Sequence, residues 1–287
     1  MDKIVRAMAY DRKVRVFATL STQTVKDAID NHKLNLASAM ALGRLLSATA
    51  MMSLMGDEGL LAVQVLSKGP MKGLIAISDK RGRVKGYVFN NDYTSYGQDV
   101  SSIGQLIMPG QLVVSKDMGL KEPYTGIIDL ASGEIAEDIA KYYTDSEQTP
   151  SACALGTYFD QEGNLLAAGG YIVQVMPGTD EKILKELEQR VDLSTNISEL
   201  LYDLGSAEKI LEFLFSDRAL EITDSVDLSF SCDCSYKGIL EKLLVLDKSQ
   251  LMEIAQEEEI IEAVCPYCSS KYHYDAKEVL ELLEERE

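Results

Sequence analysis

The chain has 287 residues, 46% hydrophobic and 26% charged, an ordinary globular composition that excludes wholesale disorder. That length is long for one domain and leads to an expectation of two units. Forty-six acidic against 28 basic side chains give a net charge of −18, which opposes binding to nucleic acid or anionic membrane through bulk electrostatics.

The charge is uneven. Residues 1–178 carry 17 basic and 19 acidic side chains, whereas 179–287 carry 11 and 27. Seventeen of the 20 glycines precede Gly178, and no proline lies between Pro177 and Pro266. A near-neutral, turn-rich part thus gives way to an acidic, helix-prone part. The start of the chain has no long apolar run of a secretory leader. The most apolar stretch, Leu34 to Met55, contains Arg44 and many small residues and reads as an internal helix. The expectation is a cytoplasmic protein, where stable structural disulfides are unusual.

In chain order, Ile4–Tyr10 and Val14–Ser21 read as strands around an Asp11-Arg12-Lys13 turn. Thr24–Asn31 and Leu36–Met55 read as helices, the second carrying Ala39, Gly43, Ser47 and Ala50 for close approach of a neighbour. Leu60–Leu66, Gly73–Ser78, Val84–Phe89, Gln111–Ser115 and Thr125–Leu130 read as strands, and Ile135–Tyr143 as a helix. Ala152–Phe159 and Leu165–Val175 form a further hairpin. Hairpin-joined strands with helices packed on them define an α+β domain built on an antiparallel sheet. Asp180–Val191, Ile197–Leu204 and Ala207–Phe215 follow as short helices that depend on docking for stability. Val226–Ser231 reads as a strand, and Gly238–Leu246 and Ser249–Glu257 as helices.

Five cysteines are present, and four lie near the end of the chain: Cys232-x-Cys234, thirty residues, then Cys265-Pro266-Tyr267-Cys268. Each pair sets two thiolates side by side, and two pairs make a tetrahedral sulfur cage for zinc. The bland reading is a structural zinc ribbon. The Cys-x-Cys pair and the acidic surroundings depart from that reading, since ribbons combine Cys-x-x-Cys knuckles and often serve nucleic acid. A tail of this size has a marginal core of its own, and structural zinc supplies on the order of 10–16 kcal/mol. Oxidation of zinc-bound thiolates to disulfides removes the ligands, so a local chemical event would unfold the tail. Cys153, in apolar Ala152-Cys153-Ala154-Leu155, reads as a buried structural thiol. Of the two histidines, His273 reads as a strand residue flanking the site, because four cysteines already fill a tetrahedron. Gly-x-Gly-x-x-Gly, P-loop, His-Glu-x-x-His and Gly-x-Ser-x-Gly motifs are absent.

The cysteine spacing resembles that of the heat shock protein 33 family of redox-regulated holdase chaperones. The similarity extends to Ala41-Leu42-Gly43-Arg44-Leu45-Leu46 with Ala48-Thr49-Ala50-Met51-Met52, to Ser146-Glu147-Gln148-Thr149-Pro150-Ser151, and to Ala167-Ala168-Gly169-Gly170-Tyr171. Phe230-Ser231-Cys232-Asp233-Cys234-Ser235 and Cys265-Pro266-Tyr267-Cys268 match the family's zinc centre. One departure is Asn90-Asn91, where the family leads to Asn-Pro.

The resemblance implies one zinc ion per chain on Cys232, Cys234, Cys265 and Cys268 in an inactive reduced state. It implies Cys265–Cys268 and Cys232–Cys234 disulfides, zinc loss and an unfolded helical segment in the active state. The implied partners are unfolding client proteins, held without ATP and passed later to ATP-dependent chaperones, with a homodimer as the active form. It leads to three regions: an α+β platform (1–178), a helical linker (179–225) and a zinc-binding redox sensor (226–287). A Cys-x-Cys disulfide closes the smaller and more strained ring, so Cys265–Cys268 is expected to oxidise first. Two alternatives stay open: a thiol–disulfide oxidoreductase using Cys265 and Cys268, and a zinc-ribbon interaction module.

Overall fold

Alternating apolar side chains make Lys3–Ala9 (β1) and Val14–Leu20 (β2) two-faced strands. Ile4 and Phe17 enter one core, while Val5, Ala7, Val14 and Val16 enter another. The computed structural model describes residues 1–56, 59–93, 102–194 and 196–284. They divide into two units, Met1–Phe230 and Ser231–Glu287.

The first unit contains two sheets. In one, β1 and β2 join Ser151–Phe159 (β8), Leu165–Val175 (β9) and Glu221–Asp227 (β10) in the order β10-β1-β2-β9-β8, all antiparallel. The other contains Leu60–Ser67 (β3), Gly73–Asp79 (β4), Arg83–Val88 (β5), Gly110–Asp117 (β6) and Tyr124–Asp129 (β7) as antiparallel neighbours, ordered β5-β4-β3-β6-β7. Ser229–Phe230 (β11) adds to β5 in parallel. The α+β class agrees with the sequence, but the strands divide between two sheets where pattern alone gave one. The expected strand at Val226–Ser231 is instead two, β10 and β11. Side chains of β10 are exposed on both faces, so it has no apolar alternation to mark it.

The helix Leu36–Met52 (α2) shares one core with residues of both sheets, among them Ile4, Phe17, Leu61, Val63 and Leu112. It is apolar nearly all round, as a helix enclosed on every side must be. Its Ser47 and Thr49 hydroxyls donate to the carbonyls of Gly43 and Leu45, each at 2.7 Å, so these buried groups are satisfied. The small residues have the expected use. A Cβ on Gly43 would lie 2.9 Å from the side chains of Val25 and Thr157, on Thr22–His32 (α1) and β8. Asn35 caps α2 by accepting from the Ser38 N–H at 2.9 Å. Asn91 supports that cap: its side-chain oxygen accepts from the Asn35 N–H (3.2 Å) and its carbonyl from the Asn35 amide (2.7 Å). A proline there would keep only the second contact.

Gly169 and Gly170 explain the Ala-Ala-Gly-Gly-Tyr stretch. A Cβ on either would stand 2.2 or 2.1 Å from a neighbouring strand's carbonyl oxygen, that of Thr19 or Ala154. Besides the four-residue helix Gly104–Ile107 (α3), the unit contains Ala136–Asp145 (α4). Buried Asp138 holds the entry to α4, accepting from the N–H groups of Ala131 (2.7 Å) and Ile135 (3.0 Å).

Three short helices, Glu181–Asp192 (α5), Ile197–Leu204 (α6) and Ala207–Phe215 (α7), cover the other face of the first sheet. Leu187, Leu201, Ile210, Leu211, Leu214 and Phe215 pack there with Val5, Ala7, Val16, Tyr171 and Val173. Helices of eight to twelve residues are marginal alone. Burial of each large apolar side chain is worth roughly 1.5–3 kcal/mol, so docking outweighs propensity here. The second unit has Tyr236–Leu243 (α8), Lys248–Glu257 (α9), the hairpin Ile260–Val264 (β12) and Lys271–Asp275 (β13), and Ala276–Glu284 (α10). Its small core includes Ile239, Leu251, Ile261, Cys265, Tyr274 and Val279.

Candidate metal centre

Cys232 and Cys234 lie on the irregular segment entering α8. Ser235 caps that helix by accepting from the Gly238 N–H at 3.1 Å. Cys265 and Cys268 lie on the turn between β12 and β13. The turn is closed by the Cys265 N–H to the Ser270 carbonyl and the Ser269 N–H to the Cys265 carbonyl, each 2.9 Å. Ser269 takes a left-handed φ of 57° that brings the chain back into β13.

The two close pairs meet. Cys232 Sγ lies 3.7 Å from Cys265 Sγ, Cys234 Sγ lies 3.3 Å from Cys268 Sγ, and all four sulfurs fall within 4.8 Å of one another. A tetrahedral cage with metal–sulfur bonds of about 2.3 Å has edges of about 3.8 Å, so the donor set fits a metal of zinc's size and softness. Among the described residues this is the cluster of metal-ligating side chains able to hold an ion. All four cysteines are unbridged. Backbone N–H groups of Cys234, Tyr267 and Ser270 face the sulfurs of Cys232, Cys265 and Cys268, as expected around thiolates.

Electrostatics separate the thiols. Burial pushes Cys265 and Cys232 up from the ordinary thiol value. Burial acts the same way on Cys268, but the Ser270 hydroxyl at 3.2 Å, the Ser270 N–H and the sulfurs of Cys234 and Cys232 outweigh it and bring this thiol down to about 7. The Tyr272 hydroxyl lies 3.1 Å from Cys234 Sγ, a contact that no sequence pattern announced. The available signal was alternation: β13 places Tyr272 and Tyr274 on one face. His273 points elsewhere, its Nε2 lying 3.2 Å from Glu262 on β12, outside the cluster. Cys153 pairs with Ile172 on β9 and is half-buried, not fully buried as expected; it packs against the edge of the main core, and desolvation there pushes its thiol up.

The Ser146–Ser151 stretch is a structural tie. Glu147 accepts from Lys116 and from the Tyr142 hydroxyl, both at 2.6 Å, fixing the exit of α4 to β6. No helix among the described residues is long and apolar enough to cross a membrane.

Comparison with known proteins covers the whole chain. The family described as Hsp33 protein matches residues 2–275. A 33 kDa chaperonin of Agathobacter rectalis is 39% identical over 285 residues, covering 98% of this chain and 99% of the relative. A 33 kDa chaperonin of Clostridium tetani is 37% identical over 289 residues, covering 98% of each. The crystal structure of the 33 kDa chaperonin, a heat shock protein 33 homologue, from Thermotoga maritima superposes with a TM-score of 0.86 at 28% identity. That match covers 99% of this chain and 98% of that one. With the four cysteines assembled and these relatives matched from end to end, the chain belongs to the Hsp33 family of chaperones.

Proposed function

We propose that the protein is a redox-controlled, ATP-independent holdase of the cytoplasm, a binding protein without catalytic turnover. In the reduced state Cys232, Cys234, Cys265 and Cys268 hold one zinc ion, which keeps all four as thiolates and ties the tail together. Oxidation forms the Cys265–Cys268 and Cys232–Cys234 disulfides and frees the metal. Each disulfide takes two electrons from two thiolates, and an oxidant such as a peroxide receives them. The helical region 179–225 then leaves the 1–178 platform, and aggregation-prone chains bind the uncovered apolar surface. The active form is a homodimer that surrenders its clients to ATP-dependent chaperones.

The observation that carries this reading is the place of the sulfurs in the second unit's core. Cys265 is 2% exposed within that core, and Cys232, Cys234 and Cys268 pack against it. Ligand loss therefore removes both the metal and part of the core of a small unit. Support for the second step comes from α5–α7, whose stability rests on docking.

The test is suppression of aggregation of a thermally unfolding client, with zinc release followed in parallel. Suppression only after oxidation, with one zinc lost per chain, is the expected result. Equal suppression in both states would remove redox control from the reading. Turnover in a disulfide-exchange assay would favour an oxidoreductase. Retained zinc with no suppression in either state would favour a structural ribbon.

A further inference from the structure

Each close cysteine pair has one sulfur addressed by a side-chain hydroxyl. Cys234 Sγ faces the Tyr272 hydroxyl at 3.1 Å, and Cys268 Sγ faces the Ser270 hydroxyl at 3.2 Å. The two contacts differ: the Cys268 thiol donates to Ser270 Oγ, whereas the Tyr272 hydroxyl is placed to donate to Cys234. Ser270 is exposed on the turn, whereas Tyr272 is half-buried on β13 and packs against the small core. A phenol is also a stronger hydrogen-bond donor to a thiolate than an alcohol. The strand that presents it is fixed. Two residues on, Tyr274 is 1% exposed, donates to the Tyr236 carbonyl at 2.8 Å, and its ring lies 4.4 Å from that of Tyr236. Tyr272 is therefore held in position before any chemistry occurs.

We infer that Tyr272 is a positioning residue that restrains oxidation at Cys234, so that the Cys232–Cys234 disulfide forms after Cys265–Cys268. The inference rests on the redox reading above and adds the residue that sets the order of events. In the first step one thiolate attacks a peroxide oxygen; the O–O bond breaks, hydroxide leaves and a sulfenic acid forms. In the second, the partner thiolate attacks the sulfenic sulfur; the S–O bond breaks, the S–S bond forms and a second hydroxide leaves. Two thiolates lose one electron each, and the peroxide gains both. Whichever of Cys232 and Cys234 reacts first, the Cys234 sulfur acts once as a nucleophile. A hydrogen bond that occupies its lone pair slows that step in either order.

The test uses the reduced, zinc-loaded full-length protein and the variants Tyr272→Phe and Ser270→Ala, with hydrogen peroxide as oxidant. Mass spectrometry follows each disulfide separately. In Tyr272→Phe the Cys232–Cys234 rate is expected to rise on the order of tenfold, the scale of a lost hydrogen bond to a charged group. The Cys265–Cys268 rate is expected to stay within about twofold of wild type, and Ser270→Ala to leave the Cys232–Cys234 rate unchanged. A readout independent of oxidation is the cobalt(II)-substituted protein, whose sulfur-to-metal charge-transfer band shifts in Tyr272→Phe. Unchanged rates and an unchanged band overturn the inference. Equal acceleration of both disulfides, or loss of metal binding in Tyr272→Phe, also overturns it, because Tyr272 would then only support the hairpin. A wild-type protein that binds no metal would instead sink the redox reading itself, and this inference with it.

Discussion

The Tyr10 hydroxyl donates to the Glu186 carboxylate across 2.9 Å, joining the β1–β2 turn to helix α5. Arg218 (2.5 Å) and Arg190 (3.1 Å) converge on the same carboxylate. Arg190 reaches on to Asp217 at 2.8 Å and to the Leu214 carbonyl at 2.6 Å. One carboxylate thus ties α5 both to the strand turn and to the end of α7.

Acid should loosen this tie. Burial raises the Glu186 carboxyl, but hydrogen bonds from Tyr10, Arg218 and Arg190 outweigh it and hold it below its ordinary value. A depressed folded pKa contributes stability above the unfolded value of about 4.3, and that contribution is lost as pH falls through the folded value. Hydrogen-exchange protection factors in α5 and α7, corrected for the intrinsic rate at each pH, should fall below about pH 4. Glu186→Gln should flatten that dependence and cost no more than about 1 kcal/mol at pH 7, because the network is partly solvated.

Leu201→Ala should detach the helices more strongly. Leu201 is fully buried between α6 and the sheet, and truncation of such a residue costs about 2–5 kcal/mol. Urea denaturation should show an early transition for α5–α7. If their docking is what masks client binding, this variant suppresses aggregation while still reduced, as a light-scattering assay would record.

Metal removal should unfold the second unit and leave the sheets of the first intact. Chelation from the reduced protein should abolish hydrogen-exchange protection in β12 and β13, while β1, β2 and β9 stay protected. The reason is that the cysteines belong to the second unit's small core, whereas the first unit has two large apolar clusters of its own.

Cys153 should remain reduced throughout. Its thiol is pushed up by burial and it packs against the main core, so little thiolate exists to react. Alkylation mapping after peroxide treatment should find Cys153 unmodified by peroxide, and Cys153→Ser should leave the oxidation of the other four unchanged.

The cysteine quartet was legible because ligand type and local spacing carry most of its information. Helices α5–α7 were legible because apolar residues recur at helical spacing on one face. Strand β10 was not, since its exposed side chains leave no alternation and only main-chain pairing with β1 defines it. The division into two sheets was also hidden, because either arrangement of hairpins satisfies the same local pattern. The approach of Tyr272 on β13 to Cys234 on the segment before α8 joins residues 38 apart, which no short window contains. Asn91 departed from the resembled pattern, yet the structure gives its side chain a definite use at the cap of α2.

The face of the first sheet beneath α5–α7 has a consequence for how substitutions there are tolerated. Val5, Ala7, Val16 and Val173 must be apolar enough to seat three short helices. On the proposed function, the same side chains must also grip foreign chains once bare. A polar replacement would weaken both roles, whereas a larger apolar one would strengthen the seat and delay its opening. Hydrophobicity at these positions is therefore bounded from above as well as below, and the ceiling is set by how readily the surface must be uncovered.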